Sequence, residues 1–153
     1  MHNISWPLSE WAGASDDGVA LTGVGVIFSR HDGVIPDIAW FSGERLPAAI
    51  LSPITEERGG KFHLAPDLAV EVLSPGKENE ERDRETKLTL YSRRGVREYW
   101  IVDRFTRTVA IYRRVAAELV LVATLTDADA LTSPLLPGFS LAVGRIFRLP
   151  PGL

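Results

Sequence analysis

Cysteine is absent from all 153 residues, so neither a disulfide nor a thiolate-bound metal can serve this chain. That usage is compatible with a reducing cytoplasm, which is the expected location. Long apolar runs are missing too: no stretch approaches the ~20 residues that cross a bilayer. The opening "MHNISWPLSEW" has no basic segment leading into an apolar core, so no secretory signal is expected. Positive charge is not in excess either. A formal net charge of −3 and a pI near 5.6 are not those of a dedicated nucleic-acid binder. Internal repeats and low-complexity tracts are also lacking. What these absences leave is one soluble globular domain over residues 1–153, long enough to bury a core of its own.

The apolar pattern then sets out the elements. Residues 1–18 form an N-terminal segment with a short helix that Pro7 is expected to interrupt. "VALTGVGVIFS" has strand character weakened by Gly23 and Gly25, "GVIPDIAWFS" reads as a second strand, and "DLAVEVLS" as a third. A long turn-rich connection separates the last two. From Glu78 to Arg94 good helix formers dominate, with acids at the start, Arg93 and Arg94 at the end, and Gly95 as the cap. "EYWIVD", "TVAIYRR" and "ELVLVATL" follow as strands, and residues 135–153 read as a packed irregular tail. The order β-β-β-α-β-β-β implies an α/β or α+β domain built on a central mixed sheet.

Within this pattern two acids stand out. Side chains alternate along a strand, so Glu71 shares a face with Ala69 and Leu73, and Asp37 shares one with Ile35, Ala39 and Phe41. A carboxylate in an apolar row costs several kcal/mol unless it is paired, protonated or bound to a cation. Each acid could lie at a sheet edge or accept structural hydrogen bonds. Alternatively, the two together with a lysine downstream would suit Mg²⁺, which binds one or two protein carboxylates alongside a phosphate. Lys87 is that lysine, on one helical face with Asp83 and Tyr91. Helix spacing alone is equally met by a surface Asp83–Lys87 pair beside a half-buried tyrosine.

The residues "IPDIAWFS", "PDLAVEVLSP", "RDRETKLTLYSRRGVREYWIVD" and "LLPGFSL" together resemble the Uma-two family, a branch of the PD-(D/E)XK nuclease superfamily of restriction endonucleases. The resemblance runs from about Val24 to Phe147 and is most specific between Pro66 and Asp103. It implies a restriction-endonuclease-like fold, a central mixed sheet flanked by helices. It also implies a Mg²⁺- or Mn²⁺-dependent endonuclease that hydrolyses phosphodiesters of DNA as a homodimer. On this resemblance Asp37 and Glu71 hold the metal, the Val72 carbonyl is a further ligand, and Lys87 is catalytic. The superfamily's usual lysine would fall at Leu73, so in this branch the cation comes from the following helix. Asp67 and Tyr91 are supporting candidates, and Glu10 is the nearby acid that could complete the site. Family members usually carry a Y-E-L-x-x-G hairpin ahead of a helix that begins near a histidine. With His2 as that histidine, the chain is expected to be N-terminally shortened.

A rival from another class is a catalytically weakened nucleic-acid-binding or dimerisation module that keeps the fold. An enzyme acting on RNA or a small phosphodiester is a third. Residues 77–114 carry 11 of the 17 basic residues against 7 of the 20 acids, which could trace a phosphate backbone or be a solvated face. His31 and His63 read as incidental, and Trp40, Tyr99 and Trp100 as core aromatics.

Overall fold

The computed structural model describes residues 1–29, 32–50, 62–73 and 80–149, and for 80–83 the backbone alone. His31, the first residues of the expected helix, the Asp83 side chain and residues 150–153 lie outside that description. In chain order the elements begin with α1 (His2–Ser15), β1 (Val19–Thr22), β2 (Val26–Ser29), β3 (Asp32–Val34) and β4 (Ile38–Phe41). They continue with α2 (Leu46–Ile50), β5 (Leu68–Leu73), α3 (Glu80–Arg93), β6 (Glu98–Asp103), β7 (Thr108–Val115) and β8 (Glu118–Leu125). Last come β9 (Ala130–Leu131), β10 (Leu141–Ala142) and α4 (Val143–Ile146).

Six strands form one mixed sheet in the order β1-β4-β5-β6-β7-β8. Only β5 and β6 run parallel; every other neighbouring pair is antiparallel. A parallel pair cannot be joined by a tight turn, and α3 supplies the crossover. Alternation sorts the side chains into two layers. Ile38, Trp40, Leu68, Val70, Trp100, Val102, Val109 and Ile111 face α1 and the C-terminal segment. Ala69, Tyr99 and Ile101 face α3 through Tyr91, while Ala39 and Phe41 pack against Val26 and Ala49.

Three expectations are corrected. Pro7 lies inside α1 without ending it. A helix-interior proline costs ~3 kcal/mol, but Ile4, Leu8 and Ala12 form a buried stripe at helical spacing that outweighs one lost backbone bond. The first two sequence strands are each divided. Gly23, at a φ of 63°, separates β1 from β2, and Ile35-Pro36 separates β3 from β4. β2 and β3 pair with each other as a hairpin outside the main sheet, Val26 of β2 also bridging to Phe62, and Ile35 is exposed rather than in a buried row. The tail is packed as expected but not wholly irregular, because β10 pairs with β9 and α4 buries Val143 and Ile146.

Elsewhere the local signals match. Gly95 takes a φ of 83°, and the Val96 N–H donates to the Tyr91 carbonyl, a Schellman closure of α3. Arg114 of β7 reinforces that end by donating to the carbonyls of Tyr91, Ser92 and Val96.

Gly18, at a φ of 72°, brings the chain into β1 so closely that an added Cβ would overlap the Phe41 carbonyl. Gly23 also has positive φ but faces open space. Gly18→Ala should therefore lower unfolding free energy by ~2 kcal/mol or more, against ~1 kcal/mol for Gly23→Ala, measured by urea denaturation.

Candidate active site

β4 and β5 pair with Ile38 opposite Val70. That register, carried one residue further, sets Asp37 across from Glu71. Asp37 immediately precedes β4 and is half-buried, and its Oδ2 accepts the Val72 N–H at 2.7 Å. Glu71 is 5% exposed, on the sheet face that α3 covers. Helix α3 brings two groups onto it: the Lys87 ammonium lies 3.3 Å from Oε2, and the Tyr91 hydroxyl donates to Oε1 at 2.9 Å. Lysine and tyrosine are four residues apart, one helical turn, so both reach the same carboxylate.

The electrostatics follow from burial. Desolvation pushes the Glu71 carboxyl above its ordinary value, opposed by the Lys87 charge and the Tyr91 hydrogen bond and reinforced by the negative Asp37. That Asp37 acts on Glu71 agrees with its place across the ladder. Desolvation, followed by the Glu71 charge, pushes the Tyr91 phenol upward, so it remains an O–H donor. Tyr99, set edge-on to Tyr91 at 4.9 Å, is also pushed up, mainly by burial. Site and core thus share one aromatic wall.

Glu71 sits on β5, Lys87 and Tyr91 sit on α3, and Asp67 immediately precedes β5, but Asp67 does not join the group around Glu71. It is fully buried at the other end of β5, where its Oδ2 accepts the Ser42 N–H at 2.7 Å. Its Oδ1 lies 3.5 and 3.4 Å from the Nε atoms of Arg45 and Arg97, contacts of charge without aligned hydrogen bonds. Glu10 is exposed on α1, which packs against the opposite face of the sheet from Glu71. It therefore does not complete the cluster. Val72 enters through its N–H to Asp37.

The sequence reading missed Glu98. It is fully buried and takes hydrogen bonds from Trp100 Nε1, Ser133 and Arg113. Its signal was the one that marked Glu71, an acid in an apolar strand row, here in "EYWIVD". Much of the basic stretch proves structural as well: Arg94 pairs with Asp32, Arg97 with Asp67, Arg113 with Glu98, and Arg114 closes α3. Trp40, Tyr99 and Trp100 are buried, as core aromatics should be. His63 is 8% exposed, and neither ring nitrogen has a hydrogen-bond partner among the described residues.

With Asp37 set against Glu71 and a lysine on the same carboxylate, comparison with known proteins becomes informative. The sequence matches the family described as "Uma2: Putative restriction endonuclease" over residues 2–144. The chain belongs to the Uma2 family. The fold is also close to the crystal structure of "a putative nuclease belonging to DUF820" from Anabaena variabilis. That likeness has a TM-score of 0.70 at 20% sequence identity and covers 94% of this chain and 75% of that one. At such identity it establishes the fold, a mixed sheet flanked by helices shared with that protein. No curated protein matches the chain. Among the described residues, no helix is long and apolar enough to cross a membrane.

The donor set fits a hard divalent cation. Two carboxylates on adjacent strands supply oxygen ligands, and no soft ligand competes. Among the described residues no cluster of three or more His, Cys, Asp or Glu that could hold a metal is present.

Burial of Glu71 gives a pH signature in metal-free protein. Its folded pKa lies above the unfolded one, so between the two values the native state holds the extra proton. Stability therefore declines as pH rises through that window and then levels off. Glu71→Gln, which can still accept from Tyr91, should flatten the decline and be relatively more stable above the window than below it. Thermal midpoints of both proteins in chelator from pH 4 to 8 test this.

Proposed function

We propose that this Uma2-family protein is a metal-dependent endonuclease that hydrolyses phosphodiester bonds of DNA, working as a homodimer in the cytoplasm. The observation that carries the reading is the meeting of Asp37, Glu71 and Lys87 at the C-terminal end of β5. Structural burial of one acid needs a partner for that acid. It does not require a second carboxylate across the ladder.

Asp37 and Glu71 would hold Mg²⁺ or Mn²⁺, with the Val72 carbonyl as a further ligand. The chemistry such a cation supplies is activation of water and neutralisation of charge on a phosphate oxygen. The chain's own groups arrange the rest. The Val72 N–H fixes the Asp37 carboxylate by one oxygen, and among the described residues no hydrogen bond holds the other. Tyr91 holds Oε1 of Glu71 and favours its ionised form, so the ligand is oriented before metal arrives. Lys87 is about two-thirds buried with its ammonium at Glu71, and in this reading it would orient an attacking water or neutralise a phosphate oxygen. Asp67 supports the strand from its far end rather than the metal. A homodimer would supply the two sites that cutting both strands requires.

One observation favours the alternative, a fold-retaining binding or dimerisation module. Both Glu71 oxygens already have partners within the chain, so this carboxylate is satisfied without metal. Plasmid nicking with and without Mg²⁺ separates the readings. Loss of an outer-shell partner typically costs 10–100-fold in metal sites, so loss of a ligand should cost at least about 100-fold. Asp37→Asn should meet that figure while unfolding at the same or a higher temperature without metal, since the amide oxygen can still accept from Val72. Lys87→Ala should lower kcat far more than it lowers Mg²⁺ affinity, read from Mg²⁺-induced shifts in the thermal midpoint. Cutting that needs no metal, or an Asp37→Asn variant that cuts normally, would return the acids to a structural role.

A further inference from the structure

Arg84 lies on α3 three residues before Lys87 and seven before Tyr91, on the helical face turned to the sheet. Its Nη2 donates to Asp103 Oδ2 at 3.2 Å. Asp103 ends β6, with its other oxygen held by the N–H groups of Phe105 and Thr106. The parallel register of β5 and β6 places Glu71 beside Ile101 and Leu73 beside Asp103. Asp103 is therefore on the Glu71 face, two residues further along the strand direction, a step of ~7 Å. Asp37, Glu71 and Arg84 all open towards this same end of the sheet.

One feature separates Arg84 from an ordinary surface ion pair. Its Nε is shielded from water and has no hydrogen-bond partner among the described residues. Leaving a shielded guanidinium N–H unpaired costs free energy that a solvated arginine avoids by turning outward. Here Asp103 holds the guanidinium by Nη2 and Nε is shut off from solvent, while the side chain as a whole is 37% exposed, so the donors at the outer end of its fork stay open to a ligand. Such a fork matches a phosphate, and arginine remains charged at every relevant pH.

We infer that Arg84 is a second anion-binding position, contacting a backbone phosphate adjacent to the one cleaved between Asp37, Glu71 and Lys87. This rests on the phosphodiesterase reading and deepens it. Lys87 acts where the bond breaks; Arg84, one step along the face, fixes the register of the strand. Asp103, anchored by its turn, orients the fork. The ligand class is the phosphodiester backbone, read without regard to base. Arg84 is thus a positioning residue, and its loss should affect KM more than kcat.

The test is fluorescence anisotropy of a 20-base-pair DNA duplex in chelator, where nothing is cut, across a salt series. Removing one phosphate contact should weaken binding and reduce the slope of log K against log salt by about one. Arg84→Ala should show that loss, and Arg84→Lys should recover most of the slope but less of the affinity. Arg145→Ala, an exposed arginine of α4 on the opposite side of the sheet, should leave the slope alone. With metal present, Arg84→Ala should raise KM and leave kcat nearly unchanged. Thermal midpoints establish that each variant is folded, and Arg84→Gln, which keeps the bulk but not the charge, serves if the alanine variant is not. An unchanged slope in a folded Arg84→Ala protein, with wild type binding and cutting normally, overturns this inference alone. Should wild type neither bind nor cut DNA, the phosphodiesterase reading falls and takes this one with it.

Discussion

Asp67 fixes one end of the sheet on which the site depends. Its N–H donates to the Trp40 carbonyl of β4, and its own carbonyl accepts from Arg97 and Glu98 at the start of β6. Its buried carboxylate takes the Ser42 N–H and faces two arginine side chains. One residue thereby aligns three strands. A shift of one position would turn every side chain to the other face, so this alignment keeps Asp37 level with Glu71 at the far end. Asp67, a supporting candidate from the sequence, bears on the Glu71 cluster through strand alignment rather than by contact.

Three buried acids show how differently one residue type can be used. Glu98 is bonded by Trp100, Ser133 and Arg113 on the face covered by α1 and the C-terminal segment. Asp67 is held by backbone and arginines. Glu71 alone has a second carboxylate across the ladder and an ammonium from the crossover helix. Being buried does not distinguish these three; the charges that converge on each one do. The parallel pairing of β5 and β6 matters here, because it requires a crossover, and the crossover carries Lys87, Tyr91 and Arg84 over the Glu71 face.

Local patterning made much of the fold legible. β6 and β8 have the bounds their apolar runs imply, and β5 alternates as read, with Leu68 and Val70 on one face and Ala69 with Glu71 on the other. Gly95 closes α3 because a left-handed C′ position is a property of one residue. Patterning failed where distant packing overrode it. Pro7 is retained in α1 by a stripe buried against the sheet, and the runs around Gly23 and Pro36 divide because the β2–β3 hairpin leaves the main sheet.

By itself the sequence determined the strand and helix periods, the unusual place of Glu71 in an apolar row and of Asp37 at the head of one, and the motifs of the Uma2 family. Tertiary structure decided which charge meets which. That Lys87 meets Glu71 across the fold could not be read from helix spacing. The structure sets it 3.3 Å from Glu71. The same holds for Glu98 with Ser133, 35 residues apart, and Arg84 with Asp103, 19 apart. Periodicity reports the side of an element on which a residue lies, because that follows from backbone geometry over a few residues. The partner of a buried charge is chosen by whichever distant segment packs against it, and no local pattern encodes that.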